Sequence, residues 1–470
     1  MGKKKYSYKM RIKLLKYLKS YTDAKLLQYF EIAEDELKNT ADASLELYRL
    51  TNLELQKITA IAQSKKLKVF IVEANPIKFL AAFLAGVVAE VDLFLCDPAW
   101  QQNEWHQVLS LVKPDLILGK PTIQIDTINS LNGDLQSMPD SPLIMIPTGG
   151  TSGKIRFAMH SWETLSASVK GFQEYFDCQI DSFCTLPLYH VSGLMQFMRS
   201  FITGGNLVLC PYKAIQTVEF DLDTRDYFIS LVPTQLQILV ESVPDWLSGF
   251  KTVLLGGAPA TRSLLETARK YNISIAPTYG MTETASGIVT LKSADFLAGN
   301  NSSGRVLPHA RVTVKPIDNI GSIAISCASL CLGYYPQLFT STTFVTDDLG
   351  YFDGDGYLHL VGRNSHKIIT GGKNVFPAEV EAAIFATGLV TDVCVIGIGD
   401  RKWGQTVTAV YVPVESDFDL EGVKQQVRSQ LANYKQPKKW IKLDRLPRNN
   451  RGKINDRQLK AIAQEAINNN

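Results

Sequence analysis

Paired cysteines are missing from this sequence, and with them the spacings that hold a structural metal. Its 470 residues carry seven cysteines, scattered from Cys96 to Cys394 with no C-x-x-C pair. Cys327 and Cys331 stand four apart, yet no second pair or histidine lies at zinc-site spacing. An odd, dispersed set reads as reduced thiols in a cytoplasmic protein. A membrane-length apolar run is also lacking. The longest, Phe79 to Ala89, is closed by Glu90 and Asp92, too short for a bilayer, and reads as a buried helix. A net charge of +3 gives no case for a nucleic-acid partner. The charge is uneven, however: residues 1–20 hold eight Lys/Arg and no acid. Arg11, Lys13, Lys16 and Lys19 interrupt every apolar run there, which excludes a signal-peptide core, and Tyr6 stands where myristoylation wants Ser or Thr. A solvated basic helix face is one reading; weak contact with an acidic membrane surface, without insertion, is the other. Oligomeric state is left open.

What is present is alternation. Apolar runs at 68–72, 93–96, 116–118, 143–146, 206–209, 228–231 and 252–255 are separated by helical patterns. That order predicts largely parallel sheets and an α/β body. From Arg311 to Leu360 valine-alternating pieces with Gly-Tyr and Asp-Gly turns read as antiparallel β. After Gly362-Arg363 a new unit begins, with a helix near 377–386, strands at 392–398 and 406–412, a helix at 420–431 and a basic tail at 435–460. The expected division is 1–362, including a β subdomain at about 311–362, and 363–470.

Four segments carry candidate chemistry. Ile146-Pro-Thr-Gly-Gly-Thr-Ser-Gly-Lys154 gathers Thr148, Gly149, Gly150, Thr151, Ser152 and Gly153 ahead of Lys154. Glycines let backbone N–H groups approach phosphate oxygens, and small hydroxyls add donors. A P-loop is excluded, because only three residues separate Gly149 from Gly153 and Ile155 follows the lysine. Another kind of phosphate loop and an ordinary glycine-rich turn both remain. Thr278-Tyr-Gly-Met-Thr-Glu-Thr284 sets the Tyr279 ring beside Gly280 as a base-stacking face, with Thr282 as a hydroxyl donor. Glu283 there is an Mg²⁺ ligand by type, or a surface carboxylate. Asp348 suits two ribose hydroxyls and Arg363 can close the same sugar; both also fit turns. Lys453, in Pro447–Arg457, is a mobile cation or a solvated loop residue.

In this order the segments resemble the acyl-adenylate-forming superfamily over roughly residues 70–465. The likeness extends to Leu186-Pro-Leu-Tyr-His-Val-Ser-Gly193, Leu255-Gly-Gly-Ala-Pro259 and Gly371-Gly-Lys-Asn-Val-Phe-Pro-Ala-Glu-Val-Glu381. Val232-Pro-Thr-Gln-Leu and Gly280-Met-Thr-Glu-Thr-Ala-Ser-Gly-Ile-Val-Thr-Leu291 are similar to the o-succinylbenzoate–CoA ligases of menaquinone or phylloquinone synthesis, photosynthetic-bacterial type. The resemblance implies an α/β fold: a large N-terminal domain of mainly parallel sheets plus a β subdomain, and a small mobile α+β lid. It implies ATP, Mg²⁺ and coenzyme A. Thr148–Lys154 would hold the β,γ-phosphates, Thr282 the α-phosphate, Glu283 the metal, Asp348 and Arg363 the ribose. Gly257, Ala258, Tyr279 and Gly280 would frame the base, and Gly371-Gly372 the pantetheine channel, with Lys435, Lys438 and Lys439 near the CoA phosphates. His190, Ser192, Gly193 and Ser286 fall on the acid, and Arg199 on its succinyl carboxylate. Lys453 would be the catalytic cation, with Glu283 and His190 beside it. Alternatives are a ligase for another aryl or acyl acid, a carrier-protein adenylation domain and a non-catalytic nucleotide binder.

The match departs in three places. Gly153-Lys-Ile-Arg-Phe157 lacks the proline and final glycine of the family loop, which implies stiffer or slower motion. Ser365 occupies the hinge position usually held by Asp or Lys, and Lys373 a position commonly Glu.

Overall fold

The computed structural model describes residues 14–33, 36–39, 42–62, 66–125, 139–149, 154–215, 222–317, 320–415, 418–448 and 454–468. In the first sheet, seven-stranded, Lys68–Val72, Asp92–Leu95, Leu116–Gly119 and Ile144–Gly149 run parallel. Between the first two strands lies the helix Pro76–Val88. Asn75 caps it by accepting from Lys78 N–H at 3.0 Å, and Pro76 at its first turn needs no donor. Every residue from Phe79 to Val88 is buried, which is why the segment is apolar all round.

The second sheet has nine strands, five of whose pairings set Leu207–Leu209, Asp181–Cys184, Tyr227–Leu231, Thr252–Leu255 and Ile275–Met281 parallel, together with Leu27–Ala33. Their carboxyl ends therefore share one edge. A four-stranded antiparallel sheet follows, Ala310–Ile317, Ile320–Cys327, Phe344–Phe352 and Leu358–Arg363, with Val312 opposite Ile325 on its buried side. The C-terminal part builds a five-stranded sheet around the long hairpin Val390–Asp400 and Gly404–Pro413, packed with the helices Pro377–Phe385 and Leu420–Gln430. The architecture is α/β with a separate C-terminal domain.

Two segments are better ordered than their charge suggested. The stretch read as a basic tail holds the strand Lys439–Lys442, parallel to Gly404–Pro413, and the helix Asp456–Asn468. Ile441, Leu446, Leu459 and Ala463 are widely spaced among charges, yet they join Cys394 and Ile396 in one core. In the N-terminal helix Leu14, Leu18 and Tyr21 are buried while Lys16 and Lys19 face out. Among the described residues no helix is long and apolar enough to cross a membrane.

Candidate active site

Adjacent parallel strands deliver their following loops to one edge of the nine-stranded sheet, the place where open α/β sheets hold ligands. Thr252–Leu255 leads to Gly257, at φ +82°, and to Ala258, both exposed. Its neighbour Ile275–Met281 leads to the short 3-10 turn Thr282–Thr284. Asp181–Cys184 leads to His190, which precedes the helix Val191–Thr203.

The turn that carries Glu283 is clamped at its carbonyls. His160 Nε2–H donates to Thr282 O at 2.7 Å, Ser329 Oγ to Thr284 O at 2.8 Å and Ser168 Oγ to Ala285 O at 2.7 Å. Burial lowers the His160 ring to about 4, so it stays neutral and its one proton serves as this donor. Tyr334 donates to Glu283 Oε1 at 2.6 Å, and the Arg156 guanidinium lies 4.0 Å over the Tyr334 ring. Arg156 stands opposite Thr148 in the hairpin of Ile144–Gly149 and Ile155–His160, so the phosphate segment and Glu283 share a wall. Glu283 is 6 % exposed, and Tyr334 engages only one of its oxygens, leaving Oε2 to accept a ligand. Among the described residues no three His, Cys, Asp or Glu side chains form a metal cage. A lone carboxylate beside a phosphate segment fits Mg²⁺, which keeps waters and phosphate oxygens as its other ligands.

Asp348 forms a second cluster. Tyr279 Oη–H donates to its Oδ2 at 2.9 Å and Arg363 Nε–H to its Oδ1 at 3.1 Å. Asp348 and Arg363 are direct partners across two antiparallel strands, so the sheet register itself sets the pair. Burial, with the Asp348 charge adding to it, raises the Tyr279 hydroxyl far above its ordinary value and keeps it a donor.

At the third position Arg199 is buried on the Val191–Thr203 helix. One Nη donates to Ser286 Oγ at 3.1 Å, and the guanidinium sits 4.0 Å over the Phe172 ring. Among the described residues its Nε has no partner and no carboxylate offsets its charge; burial alone lowers it to about 10. Ser286, at φ +85°, is turned toward it by the irregular strand start after Ala285.

The model for AMP-binding enzymes matches residues 58–335, and that for the AMP-binding enzyme C-terminal domain matches 379–453. The 2-succinylbenzoate–CoA ligase of Bacillus licheniformis is 32% identical over 409 residues, 80% of this chain and 84% of the relative. That of Bacillus subtilis is 29% identical over 385 residues, 78% and 77% of the two chains. The solved o-succinylbenzoate CoA synthetase of Bacillus subtilis with its acyl-adenylate intermediate OSB-AMP superposes with a TM-score of 0.78 at 25% identity, covering 94% of this chain and 97% of that one. The same enzyme with ATP and magnesium ion gives 0.76 at 24% identity, covering 94% and 99%.

The chain is an AMP-binding enzyme of the 2-succinylbenzoate–CoA ligase family.

Of the residues expected to act in such a ligase, Thr148, Glu283, Thr282, Tyr279, Asp348 and Arg363 lie on the strands and the turn just described, and exposed Lys154 directly precedes the strand Ile155–His160. Gly193 and Gly280 have a backbone reason to be glycine: a Cβ would fall 2.2 Å from Pro187 O or 2.1 Å from Ser286 O. Tyr279 is 7 % exposed and packs on Ile288 and Val312, so it serves to hold Asp348 more than it offers an open face for stacking. Lys453, Gly150, Thr151, Ser152 and Gly153 lie outside the described residues. Gly149 pairs with Ile155, and Arg448 bridges Ile454, so both segments are held at their ends.

Gly371 and Gly372, at φ +55° and +75°, turn on the C-terminal domain next to Trp403; Gly371 N–H donates to Trp403 O at 2.9 Å. Lys438 Nζ lies 3.3 Å from the Trp403 ring centroid, and Lys402 flanks the same ring. Lys435 is committed to Glu379. Ser365 bonds Asp347 through both its N–H, at 3.1 Å, and its hydroxyl. Sequence reasoning missed His160, Tyr334 and Trp403. The Gly-Tyr-Tyr-Pro run at 333–336 was the one signal for Tyr334, and the other two look like ordinary strand and turn residues.

Proposed function

We propose that this chain activates o-succinylbenzoate with ATP and passes the acyl group to coenzyme A, releasing pyrophosphate and AMP. The carboxylate attacks the α-phosphorus and pyrophosphate leaves on the far side. The nucleophile is already ionised, so the protein's work is alignment and charge neutralisation. Asp348, fixed by Tyr279 and Arg363, takes the ribose; Gly257 and Ala258 border the base; Thr148–Lys154 and Thr282 take the phosphates. Mg²⁺ at Glu283 would spread charge on the departing pyrophosphate. Lys453 is the cation for adenylation, and residues 363–470 are the lid that withdraws it, pivoting near Ser365. The Gly371-Gly372 turn then faces the thiol, with Trp403 and Lys438 placed for the adenine and phosphates of CoA. We place the reaction in the cytoplasm, in menaquinone or phylloquinone synthesis.

The observation that carries the diacid reading is Arg199, buried and without an acid partner, on the helix that starts at His190. Nine residues of helix put its Cα roughly 14 Å along the axis from His190, a span that the two side chains and a compact aryl diacid would fill together. His190, Ser192 and Ser286 line the way, and Arg199 takes the carboxylate that is not activated. The test is pyrophosphate release across a panel of carboxylic acids, with and without CoA. The diacid should be the preferred acid. Preference for an amino acid or a plain fatty acid would sink the assignment.

A further inference from the structure

Arg199 Nε is not the only buried nitrogen here without a hydrogen-bond partner among the described residues. His309 lies in the loop between the strands Arg305–Val306 and Ala310–Ile317, and neither of its ring nitrogens is accessible or hydrogen-bonded among the described residues. Its backbone is fixed, with the carbonyl accepting from Ala328 N–H at 3.2 Å. The ring occupies a slot left by Gly171: a Cβ there would fall 1.9 Å from Nδ1. The next residue, Phe172, is the ring on which Arg199 lies. Burial, then the nearby Arg199 charge, lowers the imidazole to about 4, so it is neutral and carries one N–H.

A buried N–H donor with no acceptor is unfavourable unless something supplies one. Here two neighbours, His309 and Arg199 Nε, are both short of an acceptor, and among the described residues no carboxylate bonds either of them. An anion with two oxygens would satisfy both. We infer that His309 is a second, specificity-determining contact for the non-reacting carboxylate of the acid, acting beside Arg199. This rests on the diacid reading above. It adds that selectivity for a diacid over a monoacid is divided between a guanidinium and a neutral imidazole. A site built to hydrogen-bond a polar group rejects ligands that lack it, because its own donors are then left bare.

The test compares o-succinylbenzoate with the two monoacids made by deleting one or the other carboxylate, using whichever monoacid the enzyme adenylates. In His309→Ala the ratio of kcat/KM for diacid over monoacid should fall about tenfold, the loss of one hydrogen bond to a charged group. The change should be carried by KM and not kcat. His309→Gln, which keeps an N–H donor, should restore most of the ratio. Gly171→Ala, which displaces the ring without removing it, should lower the ratio in the same direction, and it stands in should His309→Ala fail to fold. An unchanged ratio in these variants, or equal losses on both acids, overturns the role of His309 while leaving the ligase assignment intact. A wild-type enzyme that ignores the diacid overturns both.

Discussion

The two ends of the site are built on opposite principles. At the proposed nucleotide end the protein satisfies itself: both oxygens of Asp348 are taken, by Tyr279 and Arg363, and Glu283 is held by Tyr334 on a turn whose carbonyls are all engaged. At the proposed acid end Arg199 and His309 are buried with ring or guanidinium nitrogens unpartnered among the described residues. A satisfied cluster is rigid before ligand arrives and presents fixed geometry. An unsatisfied one is unfavourable in the free protein and recovers that cost only with the right ligand. On the proposed assignments nucleotide recognition is pre-organised, whereas the cost of the unpaired donors is recovered only when the acid binds. The difference suits an enzyme whose nucleotide is generic and whose acid must be selected.

The largest expected effect bears on Lys453, proposed as the cation at the reacting phosphate. Lys453→Ala should reduce pyrophosphate release by about 10²–10³-fold, the usual loss when one transition-state charge partner is removed. Thioester formation from pre-made acyl-adenylate and CoA should persist. Single-turnover assays of each half-reaction decide it, and equal loss in both would count against lid exchange.

A smaller pair of effects tests the contrast directly. Asp348→Ala should raise KM for ATP about 10- to 100-fold, from lost hydrogen bonds to a charged group. It should also lower the melting temperature, since Tyr279 then keeps a buried hydroxyl with no acceptor, at about 1–3 kcal/mol. Arg199→Met should raise KM for the diacid by roughly tenfold or more with KM for ATP unchanged. In the free protein it should raise the melting temperature, because a buried guanidinium without an acid partner is replaced by an apolar chain. Calorimetry without ligands reads both signs. If the two variants shift in the same direction, the ends are not built differently.

How much of this was legible in the sequence follows the same division. Strands such as 68–72 and 252–255 were visible because apolar runs buried on both faces need no partner to be recognised. The resemblance named Asp348 and Arg363 for one job, and the sheet register makes them direct partners, while Glu283 sits apart on Tyr334. His160 and Tyr334 were not legible, since each acts on Glu283 only through a contact that folding creates. His309 was invisible for a stronger reason: its meaning comes from what it fails to touch. The strand Lys439–Lys442 and the helix Asp456–Asn468 were missed because lysines dominated the composition, while the few apolar residues that dock them are widely spaced.

An effect on stability alone, with no change expected in the chemistry, concerns the C-terminal domain, which contains a buried acid of its own. Glu381, on the helix Pro377–Phe385, accepts from Val395 N–H at 2.7 Å. Burial raises its carboxyl to about 7, and the charges of Asp392 and Asp456 push the same way against the Val395 and Cys394 bonds. Asp392 is itself paired with Arg448 at 2.6 Å and Asp456 with His366 at 3.4 Å, so neither acid is free to be displaced. An unfolded glutamate loses its proton near pH 4.3. Between roughly that pH and 7 the folded state therefore binds more protons than the unfolded one, and stability falls as pH rises. Below the window there is no penalty; above it the full penalty applies, at most about 4 kcal/mol at 1.36 kcal/mol per pKa unit. Glu381→Gln retains an acceptor for Val395 N–H and removes the titration. Urea unfolding of the full chain at pH 5, 6, 7 and 8 should show the slope in wild type and a flatter profile in the variant, which becomes the more stable of the two at pH 8. Parallel profiles would mean the carboxyl reaches solvent and ionises freely, and would place the lid with the satisfied end of the molecule, its buried acid no longer resembling the under-partnered pair at Arg199.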